Sequence, residues 1–263
     1  MPDASHIRLS PTWTDVAILH DDDALLALDK PAGLLIAPDR WDKHREHLVG
    51  LLQAAIRERR PWVTARGITQ LANVHRLDAS TSGVILFART REALVEMARQ
   101  FHDRHPAKVY AALVIGEYPE NETVVDWPIA PDPHTPGLAV IDAAGKPART
   151  RFTVLERFKG FTLVKAEPET GRTHQIRVHL RAVGCPLVGD PQYGPGTLVL
   201  LSRLKKGYRM KPEGENPLIN RPALHAESIT IEHPTLHVPL TVTAPWPKDL
   251  TVAMKYLRRY AAV

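Results

Sequence analysis

An α+β fold with a mixed, largely antiparallel central sheet flanked by helices is predicted from three observations. Predicted strands outnumber predicted helices, several are joined as hairpins, and the regular strand-helix-strand alternation of a parallel sheet is missing. The 263 residues can bury a sizeable core, and neither an internal repeat nor a linker divides them. A single domain is therefore expected, with its core over about residues 20–245 and a C-terminal helix over about 248–260.

Ala24 to Leu28 is the first predicted strand, and Asp29-Lys30-Pro31-Ala32-Gly33 is the turn that ends it. His47 to Arg60 is predicted helical because Leu48, Leu51, Leu52, Ala55 and Ile56 share one face, and Pro61 stops it. His75-Arg76-Leu77-Asp78-Ala79-Ser80-Thr81-Ser82-Gly83 contains a polar turn that feeds the apolar run Val84 to Ala88, a buried strand by length and composition. Thr90 is a suitable N-cap for a helix to about Arg104. Glu92 suits its dipole, Leu94, Met97 and Phe101 share its inner face, and Pro106 closes it.

Lys108 to Gly116 is a strand with Tyr110 near its start, whereas Pro119 to Gly145, rich in proline and aspartate, is expected to be mostly a surface excursion. Arg149 to Arg157 and Phe161 to Ala166 form a hairpin around Phe158-Lys159-Gly160. A helix follows from about Thr173 to Val183, where Gly184 can adopt a left-handed ending. Ile176, Leu180 and Val183 mark its apolar face, and His174, Arg177 and Arg181, at i, i+3 and i+7, stack on one side. Gly189 to Gly194 is a turn and Pro195 to Arg221 a basic, proline-containing insertion. Glu227 to Glu232 and His237 to Thr243 are strands around His233-Pro234, and Lys248 to Tyr260 is the last helix.

Net charge is +5, from 34 basic and 29 acidic side chains, a balance that many metabolic enzymes share. The clustering of the basic residues is more informative: Arg57, Arg59, Arg60 and Arg66; Arg99, Arg104 and Lys108; Arg172, Arg177 and Arg181; Arg203, Lys205, Lys206, Arg209 and Lys211. Repeated clusters of planar guanidinium groups favour a polyanionic partner. The single cysteine, Cys185, excludes an internal disulfide framework and a cysteine-based zinc cluster, and fits a buried hydrophobe in a reducing compartment. Apolar stretches fall short of the roughly 20 residues that cross a bilayer. Met1 to Asp23 lacks the basic head and apolar core of a secretory signal, so a cytoplasmic protein is expected.

Cofactor signatures are missing: there is no glycine-rich phosphate loop, no GxGxxG after a strand, no HExxH and no CxxC. Thirteen histidines are present, but pairs such as His102 with His105 and His174 with His179 lack a carboxylate-bearing frame, so no metal is expected. Ser80 and Ser82 lie outside any GxSxG elbow. What remains is a carboxylate, arginines and an aromatic hydroxyl. Asp78 is either an ordinary turn former bonded to nearby backbone donors or a nucleophile or base. In the second case an arginine within about 4 to 6 Å must hold it ionised against desolvation, and Arg177 is a candidate.

HRLDASTSG, with LDKPAG upstream and KVYAALVIG, ETGRTHQIRVHL, GDPQYG and ALHAESITIEHP downstream in the same order, resembles the RluA-like family of pseudouridine synthases over about Ala24 to Thr243. The resemblance implies that family's catalytic fold and an isomerase acting on uridine in RNA: the bond from ribose to base nitrogen breaks, the uracil turns, and it rejoins through carbon 5. It implies Asp78 as the catalytic aspartate, Tyr110 as the tyrosine that packs on the target base, and Arg177 as the arginine that pairs with the aspartate. Arg76 would line the RNA side and help hold the flipped nucleotide, and Leu224 would form part of the apolar wall over the base. His75, Thr81, Arg172 and His174 would also serve RNA or base binding. The ordinary alternatives are strand packing for Tyr110, a solvated helix charge for Arg177, a surface phosphate contact for Arg76 and core packing for Leu224.

Extruding a base costs a few kcal/mol, and an aromatic platform returns about 1 to 3 kcal/mol. Uracil is both leaving and attacking group, held in place, so no cofactor is implied. Attack by Asp78 on ribose, attack on the base, and proton removal to a glycal-type intermediate are all compatible with the motifs. The implied partner is ribosomal or transfer RNA, with no membrane and no obligatory protein partner. About 20 residues precede the first predicted strand, as in the shorter family members without an extra RNA-binding domain. Two other readings stand beside this one: a non-catalytic RNA-binding or assembly factor on the same scaffold, and a small-molecule hydrolase or isomerase using Asp78.

Overall fold

The computed structural model describes residues 5–38, 42, 44–209 and 212–263, so Lys211 of the last basic cluster lies outside the described residues. The chain begins with β1 (His6–Ile7), β2 (Val16–Asp21), β3 (Leu25–Lys30), α1 (Leu48–Arg57), α2 (Pro61–Thr64), β4 (Ala72–Asn73), β5 (Ser82–Ala88) and α3 (Arg91–His102). It continues with β6 (Ala107–Ile115), β7 (Glu122–Val125), β8 (Ile129–Pro131), β9 (Ala139–Ile141), β10 (Thr150–Phe158), β11 (Phe161–Pro168), α4 (Gln175–Ala182) and α5 (Leu201–Leu204). β12 (Leu224–Glu232), β13 (Pro239–Thr243) and α6 (Lys248–Tyr260) complete it. This is the expected mixed, largely antiparallel α+β class. Two compact units are formed, Met1–Ala107 with Ala226–Pro245 and Lys108–His225 with Trp246–Val263.

In the first unit β1, β2, β3 and β5 pair antiparallel in that order, β4 adds to β5, and β13 pairs with β12. Leu25 to Leu28 and Val84 to Ala88 are buried on both strand faces, which explains why both segments are continuous apolar runs and not alternating ones. α3 covers one face with Ala93 and Met97, and its N-cap is the one expected: Thr90 Oγ1 accepts the Ala93 N–H at 3.1 Å. Gly83 has φ +112, and a Cβ there would stand 2.1 Å from the Ala226 carbonyl oxygen, so only glycine fits where β5 passes β12.

In the second unit β7, β10, β11 and β6 form an antiparallel sheet. Alternation along β6 splits its side chains between two clusters. Ala112 and Val114 meet Ile176 and Leu180 of α4, and Ala111 and Leu113 meet Leu250, Ala253, Met254 and Leu257 of α6. Cys185 is buried, free and part of the α4 cluster, and burial pushes its thiol up. Gly184 ends α4 at φ +80.

Three expectations change. β1 and β2 precede the expected first strand, and β2 escaped notice because its apolar residues run into His20 and Asp21 and it is mostly half-exposed. The stretch from Pro119 to Gly145 contains β7, β8 and β9, too short to leave a periodic signal. The basic insertion sends Val199 and Ile219 into the α6 cluster while Arg203, Lys205, Lys206 and Arg209 stay exposed. Among the described residues no helix is long and apolar enough to cross a membrane.

Candidate active site

Asp78 stands half-buried at the head of the turn before β5. The Thr81 N–H donates to its carbonyl oxygen at 3.1 Å, and the next carbonyl, Ala79 O, accepts from Gly33 N at 2.7 Å and from Lys30 Nζ at 3.1 Å. Lys30 is fully buried and also donates to Pro31 O and Leu34 O, both at 2.8 Å. The LDKPAG segment therefore acts as a clamp: a buried ammonium and a glycine N–H grip the backbone next to the carboxylate. Sequence reasoning saw a turn here and missed the role of Lys30. Its signal was a lysine beside two strand-ending residues with no solvent side left.

Asp29, the neighbour of Lys30, has its carboxyl pushed by burial up to about 6, against the pull of the Lys30 charge. Because the folded value is raised, the stabilisation is fully present below the ordinary value of 3.8 and is lost as pH rises through about 6. Asp29→Asn should thus gain on the wild type between pH 4.5 and pH 8 by about 1–2 kcal/mol, allowing for solvent that still reaches the group. Denaturant unfolding at the two pH values measures this; a gap that does not grow with pH contradicts it.

Around the turn, Arg76 is exposed. His75 turns inward: its ring stacks on Phe101 at 5.2 Å and its Nε2 accepts the Leu86 N–H at 3.0 Å, pinning the segment to β5 and α3. Thr81, expected at the RNA, is 2% exposed and supports the turn through its backbone. Nearby in sequence to β3, Asp22 accepts from His20 and from His233 Nε2 (2.9 Å). Backbone donors of Thr235 and Leu236 occupy His233 Nδ1, so its Nε2 carries the proton, which disfavours a cation on that nitrogen. Burial raises the Asp22 carboxyl, but these histidines and two backbone donors outweigh it and hold it at about 2.

In the second unit Arg177 differs from expectation. It is 4% exposed, not on a solvated face with His174 and Arg181, because α4 is buried from Gln175 to Leu180 and emerges only at Arg181 and Ala182. Its guanidinium makes a two-pronged pair with Asp190, Nε to Oδ2 at 2.7 Å and an NH2 group to Oδ1 at 2.8 Å, and donates to Gln192 Oε1 at 2.6 Å. The Tyr193 ring lies under it at 4.8 Å. Burial raises the Asp190 carboxyl; hydrogen bonds and charge from Arg177, with the Gln192 and Tyr193 N–H groups, bring it below the ordinary carboxylate range. GDPQYG is thus a cradle for one guanidinium, built from residues to which sequence reasoning gave no role.

His174 takes a left-handed conformation, φ +53, at the helix start and sets Nδ1 2.7 Å from Tyr193 Oη, which also accepts the Ala139 N–H at 2.8 Å. Gln175 stitches the preceding loop: its Oε1 accepts from Thr170 and Arg172 N, and its amide donates to Arg149 O and Thr150. His179, fully buried, has its pKa lowered by desolvation; it donates from Nε2 to Trp127 O and accepts from Thr150. Arg172 is half-exposed, with Nε on Pro147 O at 2.9 Å. Tyr110 packs at the edge of the cluster that contains Leu224 and Ile176, and part of it remains open.

Comparison with known proteins gives one answer at every level. The family described as RNA pseudouridylate synthase matches residues 24–182. Ribosomal large subunit pseudouridine synthase D of Nitrosomonas europaea is 39% identical over 247 residues, 92% of this chain and 65% of that protein. The chain thus spans just under two thirds of that relative. Dual-specificity RNA pseudouridine synthase RluA of Escherichia coli is 37% identical over 232 residues, 88% of this chain and 93% of that protein. The solved structure of human RNA pseudouridylate synthase domain containing 1 agrees with a TM-score of 0.64 at 27% identity, over 89% of this chain and 84% of that one. Human RNA pseudouridylate synthase domain containing 4 shares the fold, with a TM-score of 0.68 at 23% identity over 92% of each chain. With the motif order, the fold and the sequence identity in agreement, the chain belongs to the RNA pseudouridylate synthase family.

Proposed function

We propose that this chain converts uridine to pseudouridine in ribosomal or transfer RNA, with Asp78 as the reacting carboxylate. In the reaction the C1′–N1 bond of the uridine breaks, the uracil rotates, and a C1′–C5 bond forms; C5 loses its proton and N1 gains one. Tyr110 offers an aromatic face for the extruded uracil, Leu224 an apolar wall, and Arg177 a fixed positive charge. Arg76 and the exposed basic residues of the insertion meet the RNA backbone. The uracil remains within the site as both leaving and attacking group, so the chemistry needs positioning and a carboxylate, with no external cofactor.

The observation that carries this reading is the clamping of the Asp78 turn by Lys30 and Gly33, which fixes a half-buried carboxylate inside the family's own motif. The test is direct. Incubation of the purified chain with unmodified ribosomal and transfer RNA should convert specific uridines, detected by pseudouridine mapping. Specific, salt-sensitive RNA binding without conversion would favour the assembly-factor reading instead.

A further inference from the structure

Two lysines of this chain are built differently: Lys30 is fully buried and Lys108 half-buried. Lys30 has three carbonyl oxygens around its ammonium. Lys108 has one, Thr170 O, at 3.4 Å, a long contact to a neutral acceptor. It is the second residue of β6, two before Tyr110, and strand alternation puts both on the face that carries Ala112 and Val114 against α4. Its side chain reaches toward the Thr170 to Arg172 loop, where Gln175 Oε1 accepts from the Thr170 hydroxyl and the Arg172 N–H. Desolvation lowers its pKa from the ordinary lysine range. A half-buried ammonium with one long contact to a neutral carbonyl and no ion pair among the described residues suits a site completed by an anion from outside.

We propose that Lys108 is a positioning residue whose ammonium takes a phosphate oxygen of the target nucleotide and so sets how the extruded base meets Tyr110. This rests on the functional reading above, since the anion invoked is the backbone of the RNA substrate. Lys108→Met and Lys108→Arg, made in the full chain, test it by RNA affinity at several salt concentrations, conversion kinetics and thermal unfolding. Lys108→Met should weaken RNA binding about tenfold and flatten the slope of log affinity against log salt by about 0.7, the share of one phosphate on a single strand. It should raise KM, leave kcat within about twofold, and not lower Tm, and Lys108→Arg should recover most of the affinity. An unchanged salt slope, a loss confined to kcat, or a Tm drop that accounts for the affinity loss would overturn the proposal. Binding is read without turnover, so a wild type that binds RNA and converts none would defeat the functional reading while the slope comparison still decides the phosphate contact.

Discussion

Asp78→Asn should abolish pseudouridine formation, with conversion falling by at least about 10²–10⁴-fold, while RNA affinity stays within about threefold and Tm within about 2 °C. The separation is expected because three bonds that hold the turn end on main-chain carbonyls. Thr81 N, Gly33 N and Lys30 Nζ all bind main-chain carbonyls, and none of them depends on the Asp78 charge. Asparagine preserves size and shape and replaces one carboxylate oxygen with an amide nitrogen. Single-turnover conversion with excess enzyme, alongside equilibrium binding to the same RNA, gives the answer. Residual conversion within about tenfold of wild type would remove Asp78 from the chemistry, and loss of binding in proportion to activity would make it a binding residue.

The second large effect is on stability. Asp190→Ala leaves the Arg177 guanidinium at 4% exposure without its carboxylate, and stripping one partner from a buried pair costs about 3–5 kcal/mol. Against a typical total of about 5–15 kcal/mol this is a severe loss, to be read by denaturant unfolding. Adding Arg177→Met to Asp190→Ala should recover part of it, because the buried guanidinium is removed with its carboxylate, and a double-mutant cycle isolates that coupling. Asp190 is held below the ordinary carboxylate range, so its contribution is present above that range and lost on acidification through the lowered value. The acid-side decline in stability should therefore be shallower in Asp190→Ala. Additive losses in the cycle would show that the pair is not coupled.

Which parts of this molecule were legible in the sequence follows from the range of the forces involved. α3 was predictable because a cap, a dipole-matched acid and an i, i+3, i+4 stripe are local facts, and the expected Lys248 to Tyr260 helix matches α6 residue for residue. β5 was predictable because both its faces are buried. Arg177 was placed on a polar face because a helical repeat cannot reveal what covers the helix; its burial depends on Asp190 and Tyr193, thirteen and sixteen residues on. Thr81 looked like a polar turn residue facing a ligand, and its burial is set by packing that no window of neighbours contains. The LDKPAG and GDPQYG motifs were recognised as text, but their work, gripping one backbone turn and cradling one guanidinium, became visible only with coordinates.

The Gly83 crossing bears on how a saturation scan of residues 75–83 would look. Two positions should tolerate almost nothing, yet for unrelated reasons. At Asp78 the rejected variants should accumulate as well-behaved, inactive protein. At Gly83 even alanine drives a methyl group into a carbonyl oxygen 2.1 Å away, so the rejected variants should disappear from the soluble fraction. An abundance readout run beside the activity readout would tell steric intolerance from chemical intolerance, a distinction that a map of inactive variants alone would erase.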